Sequence, residues 1–180
     1  MVHVVKPEAM RYPKNMPAWA VPFPWTVIGE KATTHGLDAC LVAAVIMKES
    51  SGLRLRTRYE PGYPWLLEPA RFGRLLGIST ATETEMQRFS WGLMQVMGST
   101  ARELGFRGHL IELAGEGLGL HYGCAYLGQQ MKRFGRVDYA LAAYNAGPGE
   151  LDDGDIDNMQ YVNAVLGFYQ ELTDEKKETP

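Results

Sequence analysis

Between Asp38 and Lys48 the chain carries no charge: Ala39, Cys40, Leu41, Val42, Ala43, Ala44, Val45, Ile46 and Met47 follow one another. A helix that is apolar on every side is a buried one, so this run has to sit at the centre of whatever the chain folds into. Its end is as informative as its body. Lys48 and Glu49 follow, and Ser50, Ser51 and Gly52 stop the helix. Glu49 therefore leaves the core at a helix C-terminus. Partial desolvation disfavours its anion, and the negative end of the helix dipole does the same. A carboxyl kept protonated near neutral pH suits general acid catalysis. The segment alone also admits a plain reading, a solvated glutamate at a helix end.

A chain of 180 residues is long enough for one domain with a sizeable core. The formal net charge of -3 argues against a general nucleic-acid binder, which shows a basic excess. His3, His35, His109 and His121 have no ligand spacing, so no metal and no cofactor is expected. Cys40 and Cys124 lie in apolar helical segments and are expected as free thiols, because disulfide scaffolds are cysteine-dense. No apolar run approaches the roughly 20 residues that span a bilayer, so no membrane insertion is expected. The N-terminus lacks the pattern of a signal peptide, since Lys6, Pro7 and Glu8 interrupt its apolar start.

The expected class is mainly α, a single domain with an irregular Pro-rich arm over 1–30, a catalytic domain over 31–172 and a frayed tail over 173–180. Pro7, Pro13, Pro17, Pro22 and Pro24 deny the arm a long helix. Trp19, Phe23 and Trp25 are too apolar for a free tail, so the arm should pack on the domain. Thr33 or Thr34 can cap the helix that ends near Glu49. A loop is expected over 52–66. Further helices are expected over 68–76, from Thr82 to Phe89, from a Ser99 cap to Leu104, over Glu116–Phe134 and Val137–Ala143, and from Asn158 to Leu172.

Three short motifs follow one another: Glu49-Ser50, Gly92-Leu93-Met94-Gln95, and Ala143-Tyr144-Asn145-Ala146-Gly147. A looser fourth is Tyr161-Val162-Asn163-Ala164-Val165. Taken as residues, Glu49 can protonate a glycosidic oxygen. The Gln95 amide offers donors and an acceptor to sugar hydroxyls. A sugar can stack on Tyr144, or Tyr144 and Asn145 can simply close a helix before the Gly147-Pro148-Gly149 turn. Leu93 and Met94 also read as core packing, and Tyr161 as a core aromatic.

In this order the motifs resemble the goose-type lysozyme and soluble lytic transglycosylase superfamily, over roughly residues 34 to 170. The resemblance implies a lysozyme-like fold and cleavage of the β-1,4 bond between N-acetylmuramic acid and N-acetylglucosamine. It implies Glu49 as the catalytic acid and Tyr161 as the residue orienting it. It further implies Ser50, Met94, Gln95, Tyr144 and Asn145 as substrate-binding residues, and peptidoglycan glycan strands as the partner of a monomer. Site of action would be the cell wall or periplasm. Family habit suggests a phage endolysin or virion enzyme delivered by a holin or an injection apparatus, or a bacterial secretion-system enzyme.

Departures from the pattern bear on the reaction. Met86 stands where the family places a serine, and Trp91 before Gly92 leans to the goose-type side. The interval from Glu49 to Gly92 is longer than is usual for transglycosylases. Asp157-Asn158-Met159 replaces the Glu-Thr-Arg that commonly precedes the late tyrosine. A lytic transglycosylase needs one acid, because the 6-hydroxyl of the substrate closes a 1,6-anhydro ring. A hydrolase that inverts needs a second carboxylate for water. Glu60 is the leading candidate for that second acid, or else the partner of Arg58 in a loop salt bridge. Glu83 and Glu85 read as ordinary acids of a helix's first turn. Transglycosylase, lysozyme and non-catalytic peptidoglycan-binding module are the three readings, and an intact Glu49 argues against the third.

Overall fold

The computed structural model describes residues 17–147 and 156–174. It is mainly helical. The helices are α1 (Trp25–His35), α2 (Ala39–Ser50), α3 (Pro69–Leu76), α4 (Thr80–Gln87), α5 (Gly98–Glu103), α6 (Glu116–Phe134), α7 (Val137–Ala146) and α8 (Met159–Thr173). Three short strands, β1 (Thr57–Tyr59), β2 (Phe89–Trp91) and β3 (Val96–Met97), form an antiparallel sheet in that order. A 3₁₀ turn covers Leu110–Ala114. No described helix is long and apolar enough to cross a membrane.

Two apolar clusters divide the molecule. The larger is centred on α2, whose residues from Val42 to Ile46 are fully buried. Helix α2 packs against α8 and α1, and α6 packs against α1 and α7. The smaller cluster joins Trp91, Val96, Ala101, Phe106, Leu110 and Leu113 beneath the sheet. We refer to these as the helical lobe and the small lobe. Inside the small lobe Arg102 and Glu83 are both fully buried and joined by two hydrogen bonds of 2.8 and 3.0 Å. The Arg102 guanidinium also lies 4.4 Å from the Phe72 ring centre.

Several local expectations need correction. The irregular arm does not reach residue 30, because α1 begins at Trp25 directly after Pro24. A proline is tolerated at a helix start, where its missing N–H costs nothing. Thr33 and Thr34 therefore lie inside α1. Gly36, at φ 69, ends that helix. The cap of α2 is Asp38, whose carboxylate accepts from Cys40 N at 2.6 Å and Leu41 N at 3.4 Å. Helix α4 starts at Thr80 rather than Thr82, capped by the Ser79 hydroxyl, which accepts from Thr82 N at 2.9 Å. Ser99 lies inside α5 and Met97 holds its cap position. The expected loop over 52–66 contains β1.

Glu83 is no ordinary first-turn acid, since burial against Arg102 claims it. The arm's described portion does pack on the domain: Phe23 and Trp25 join the larger cluster, and Trp19 Nε1 donates to Glu171 Oε2 at 2.8 Å. Expectations for Pro148, Gly149 and the Lys176-Lys177-Glu178 tail lie outside the described residues.

Candidate active site

Helix α2 delivers Glu49 to the floor of a cleft of about 1020 Å³ that opens between the lobes. Glu49 is the next-to-last residue of α2, and Ser51 at φ 53 turns the chain away behind it. Helix α8 crosses α2 and brings Tyr161 to the carboxyl. The Tyr161 hydroxyl donates to Glu49 Oε1 at 2.7 Å. Burial raises the Glu49 pKa, and this effect outweighs the Tyr161 hydrogen bond and the charges of Arg58, Lys48 and Arg56, which pull it down. Burial also holds the Tyr161 phenol well above its ordinary value, with the nearby Glu49 carboxylate adding to the shift. Tyr161 is thus a fixed donor, and Glu49 is the group whose proton can come and go.

The wall beside Glu49 is a tight turn carrying residues 92–95. Gly92 has φ 69, and a Cβ there would meet Leu113 O at 2.6 Å. Tyr144, buried on α7, donates to Met94 O at 2.7 Å and so ties the turn to the helical lobe. Gln95 takes the left-handed conformation, φ 50, which is costly for a side chain with a Cβ. Its amide repays this by donating to Arg56 O and Gly92 O, each at 2.8 Å, while its Oε1 accepts from Ser90 Oγ at 2.9 Å.

These placements sort the sequence-based site residues. Glu49, Gln95, Tyr144, Asn145 and Glu60 all line the cleft. Asn145 Oδ1 accepts from Asn158 Nδ2 at 3.0 Å. Gln95 faces the cleft with its amide hydrogens already committed to backbone carbonyls, so its first duty is to shape the turn. Two of the expected substrate-binding residues do not line the cleft. Ser50 is fully buried and its hydroxyl donates to Ile46 O at 3.1 Å, a bond along the helix and away from the cleft. Met94 is fully buried, with its Sδ 3.8 Å from Cys124 Sγ, and packs on Gly123 of α6. A Cβ on Gly123 would come within 2.6 Å of Met94 Cβ, so the side chain fills a closed seam. Its backbone oxygen, which receives Tyr144, is the part that serves the site.

Glu60 satisfies both of its readings in geometry. It lines the cleft, and its Oε1 lies 2.5 Å from Arg58 Nε. Glu85 points elsewhere, accepting from the Tyr59 hydroxyl and from Arg88 Nη1 at 3.0 Å. Among the described residues, no group of three His, Cys, Asp or Glu side chains could hold a metal ion. The cleft also contains Trp65, which the motif reading passed over; its signal was a lone tryptophan in a proline-rich loop.

Comparison with known proteins agrees with this architecture. Residues 26–160 match the family described as Transglycosylase SLT domain. A solved structure of an inactive mutant of the lytic transglycosylase Slt from Pseudomonas aeruginosa is similar, with a TM-score of 0.57 and 23% sequence identity. The match covers 83% of this chain and 24% of that one, so this chain spans about a quarter of the larger protein. At that identity the likeness speaks for the fold.

Proposed function

The chain belongs to the transglycosylase SLT domain family, which is one of glycan-cleaving enzymes, and on that premise we propose that it cuts peptidoglycan strands in the cell wall with Glu49 as the single acid and base. The observation that carries this reading is the Glu49 carboxyl itself: desolvated, raised in pKa, held by Tyr161 at 2.7 Å, and open to a cleft of strand-binding size. Protonated Glu49 gives its proton to the glycosidic oxygen as the bond to the muramoyl C1 breaks. The resulting carboxylate then takes the proton of the 6-hydroxyl on the same sugar. That oxygen closes on C1, so the products are a 1,6-anhydromuramoyl end and a free 4-hydroxyl. No water is consumed and Glu49 ends as it began. Tyr161 holds the carboxyl in one orientation throughout.

A second reading has its own observation. Glu60 shares the cleft with Glu49, and a carboxylate there could activate water for lysozyme-type hydrolysis. The Arg58 contact favours the first reading, because it engages the Glu60 carboxylate in a loop ion pair instead of leaving it free to orient a water. Mass spectrometry of digested peptidoglycan separates the two. Anhydro-muropeptides are expected. Reducing muramic acid ends, lost on Glu60→Gln, would establish the hydrolase instead.

A further inference from the structure

Trp65 is an indole left in water. It is 70% exposed, whereas Trp25 and Trp91 are buried and Trp19 packs edge-on against Phe23 and Phe168. Of the four tryptophans, it alone lines the cleft that holds Glu49. Exposing so large an apolar face costs free energy, and a flexible loop could fold it away. This loop is not free to do so. Pro61, Pro64 and Pro69 restrict its backbone. At its start Glu60 N donates to Arg88 O at 3.0 Å, and Tyr63 N donates to Glu60 O at 3.0 Å.

The far end is pinned more firmly. Leu67 N donates to Gln87 Oε1 at 2.8 Å, and Gln87 Nε2 donates back to Leu67 O at 2.9 Å. Gln87 is fully buried and also donates to Glu83 Oε1 at 2.8 Å. Glu83 is in turn gripped by Arg102. A buried network therefore runs from the heart of the small lobe to a point two residues past Trp65. It does not touch Glu49. Its visible result is a loop backbone anchored on both sides of Trp65, whose indole lies at the rim of the cleft.

We propose that Trp65 is the stacking platform of a carbohydrate subsite, taking the apolar C–H face of an N-acetylhexosamine ring of the bound strand. A pyranose is amphipathic, apolar on its faces and polar at its edge. An indole offers a flat apolar face and one N–H donor, which matches that pattern. Anchoring the loop beforehand removes part of the ordering cost from binding. The inference rests on the glycan-cleaving reading of the same cleft, and it adds where affinity for the strand resides.

The test uses the full chain carrying Glu49→Gln, titrated with a β-1,4-linked N-acetylglucosamine hexamer. A saturable change in tryptophan emission is expected, and it should vanish on adding Trp65→Phe. Calorimetry should show Kd rising about three- to tenfold when Trp65→Ala is added. In the otherwise unmodified enzyme, Trp65→Ala should raise KM on peptidoglycan and leave kcat unchanged, with Trp65→Tyr restoring part of the loss. Binding by calorimetry with unchanged emission and the same Kd in Trp65→Ala would overturn the platform and leave the glycan reading intact. No binding of the hexamer to any variant would overturn both.

Discussion

Glu49 in the helical lobe is partly withdrawn from water and Glu83 in the small lobe wholly so, and they meet different partners. Glu83 is fully buried against Arg102, which returns two hydrogen bonds and a full opposite charge. Glu49 receives one hydrogen bond from a neutral phenol, and the cations near it are more distant influences. The first arrangement compensates the charge and leaves the carboxylate with nothing to do but hold α4 to α5. The second compensates desolvation only in part, so the carboxyl pKa is raised and the protonated form is favoured. One side chain type thus serves architecture in one lobe and, on the proposed reading, chemistry in the other, and the partner decides which.

Exchanging or removing those partners should separate the two roles. Glu49→Gln is expected to give the largest effect, a loss of about 10²–10⁴-fold in peptidoglycan cleavage, read by turbidity of a wall suspension. Its stability should move the other way. Folding raises the Glu49 pKa, so the stability tied to its proton is full below the unfolded value and is lost as pH rises through the folded one. Glutamine stays neutral at every pH. The variant should match wild type in acid and exceed it in thermal melts at neutral pH.

Arg102→Met should do the reverse. It leaves Glu83 buried without its cation and should cost about 3–5 kcal/mol in denaturant unfolding. If it proves neutral, the small lobe is not built on this pair. Tyr161→Phe should cost only about 0.5–1.5 kcal/mol of stability, while activity falls because Glu49 loses its positioning donor. Unchanged activity would make Tyr161 a core aromatic. The smallest effect is expected from Glu60→Gln, because an exposed loop ion pair contributes about 0–1 kcal/mol; cleavage products should be unchanged.

Much of the helical lobe was legible because its signals are local. The apolar run from Ala39 to Met47 marks the central helix, and Glu116–Phe134 is bounded in the structure where its periodicity put it. The small lobe was less so. Its strands are two or three residues long, too short for an alternating pattern. The Arg102–Glu83 pair joins separate helices, and no spacing rule announces it.

The site shows the same division. A motif names residues but not the direction each side chain takes. Ser50 follows Glu49 in sequence, yet one step around a helix turns it into the core. Met94 precedes Gln95, and the turn sends one inward and the other to the cleft. Trp65 carries no motif, and only tertiary structure reveals that the proline-rich loop holds it at the rim.

The most direct test of this contrast is the titration of Glu49 itself, followed by carboxyl ¹³C shifts in protein labelled on glutamate, with Glu49→Gln identifying the resonance. A midpoint above that of an ordinary glutamate is expected, and it should climb further in Tyr161→Phe, which removes a hydrogen bond that favours the anion. A midpoint at or below the ordinary glutamate value in the folded protein would contradict the account of Glu49 as a buried acid holding its proton for the glycosidic oxygen.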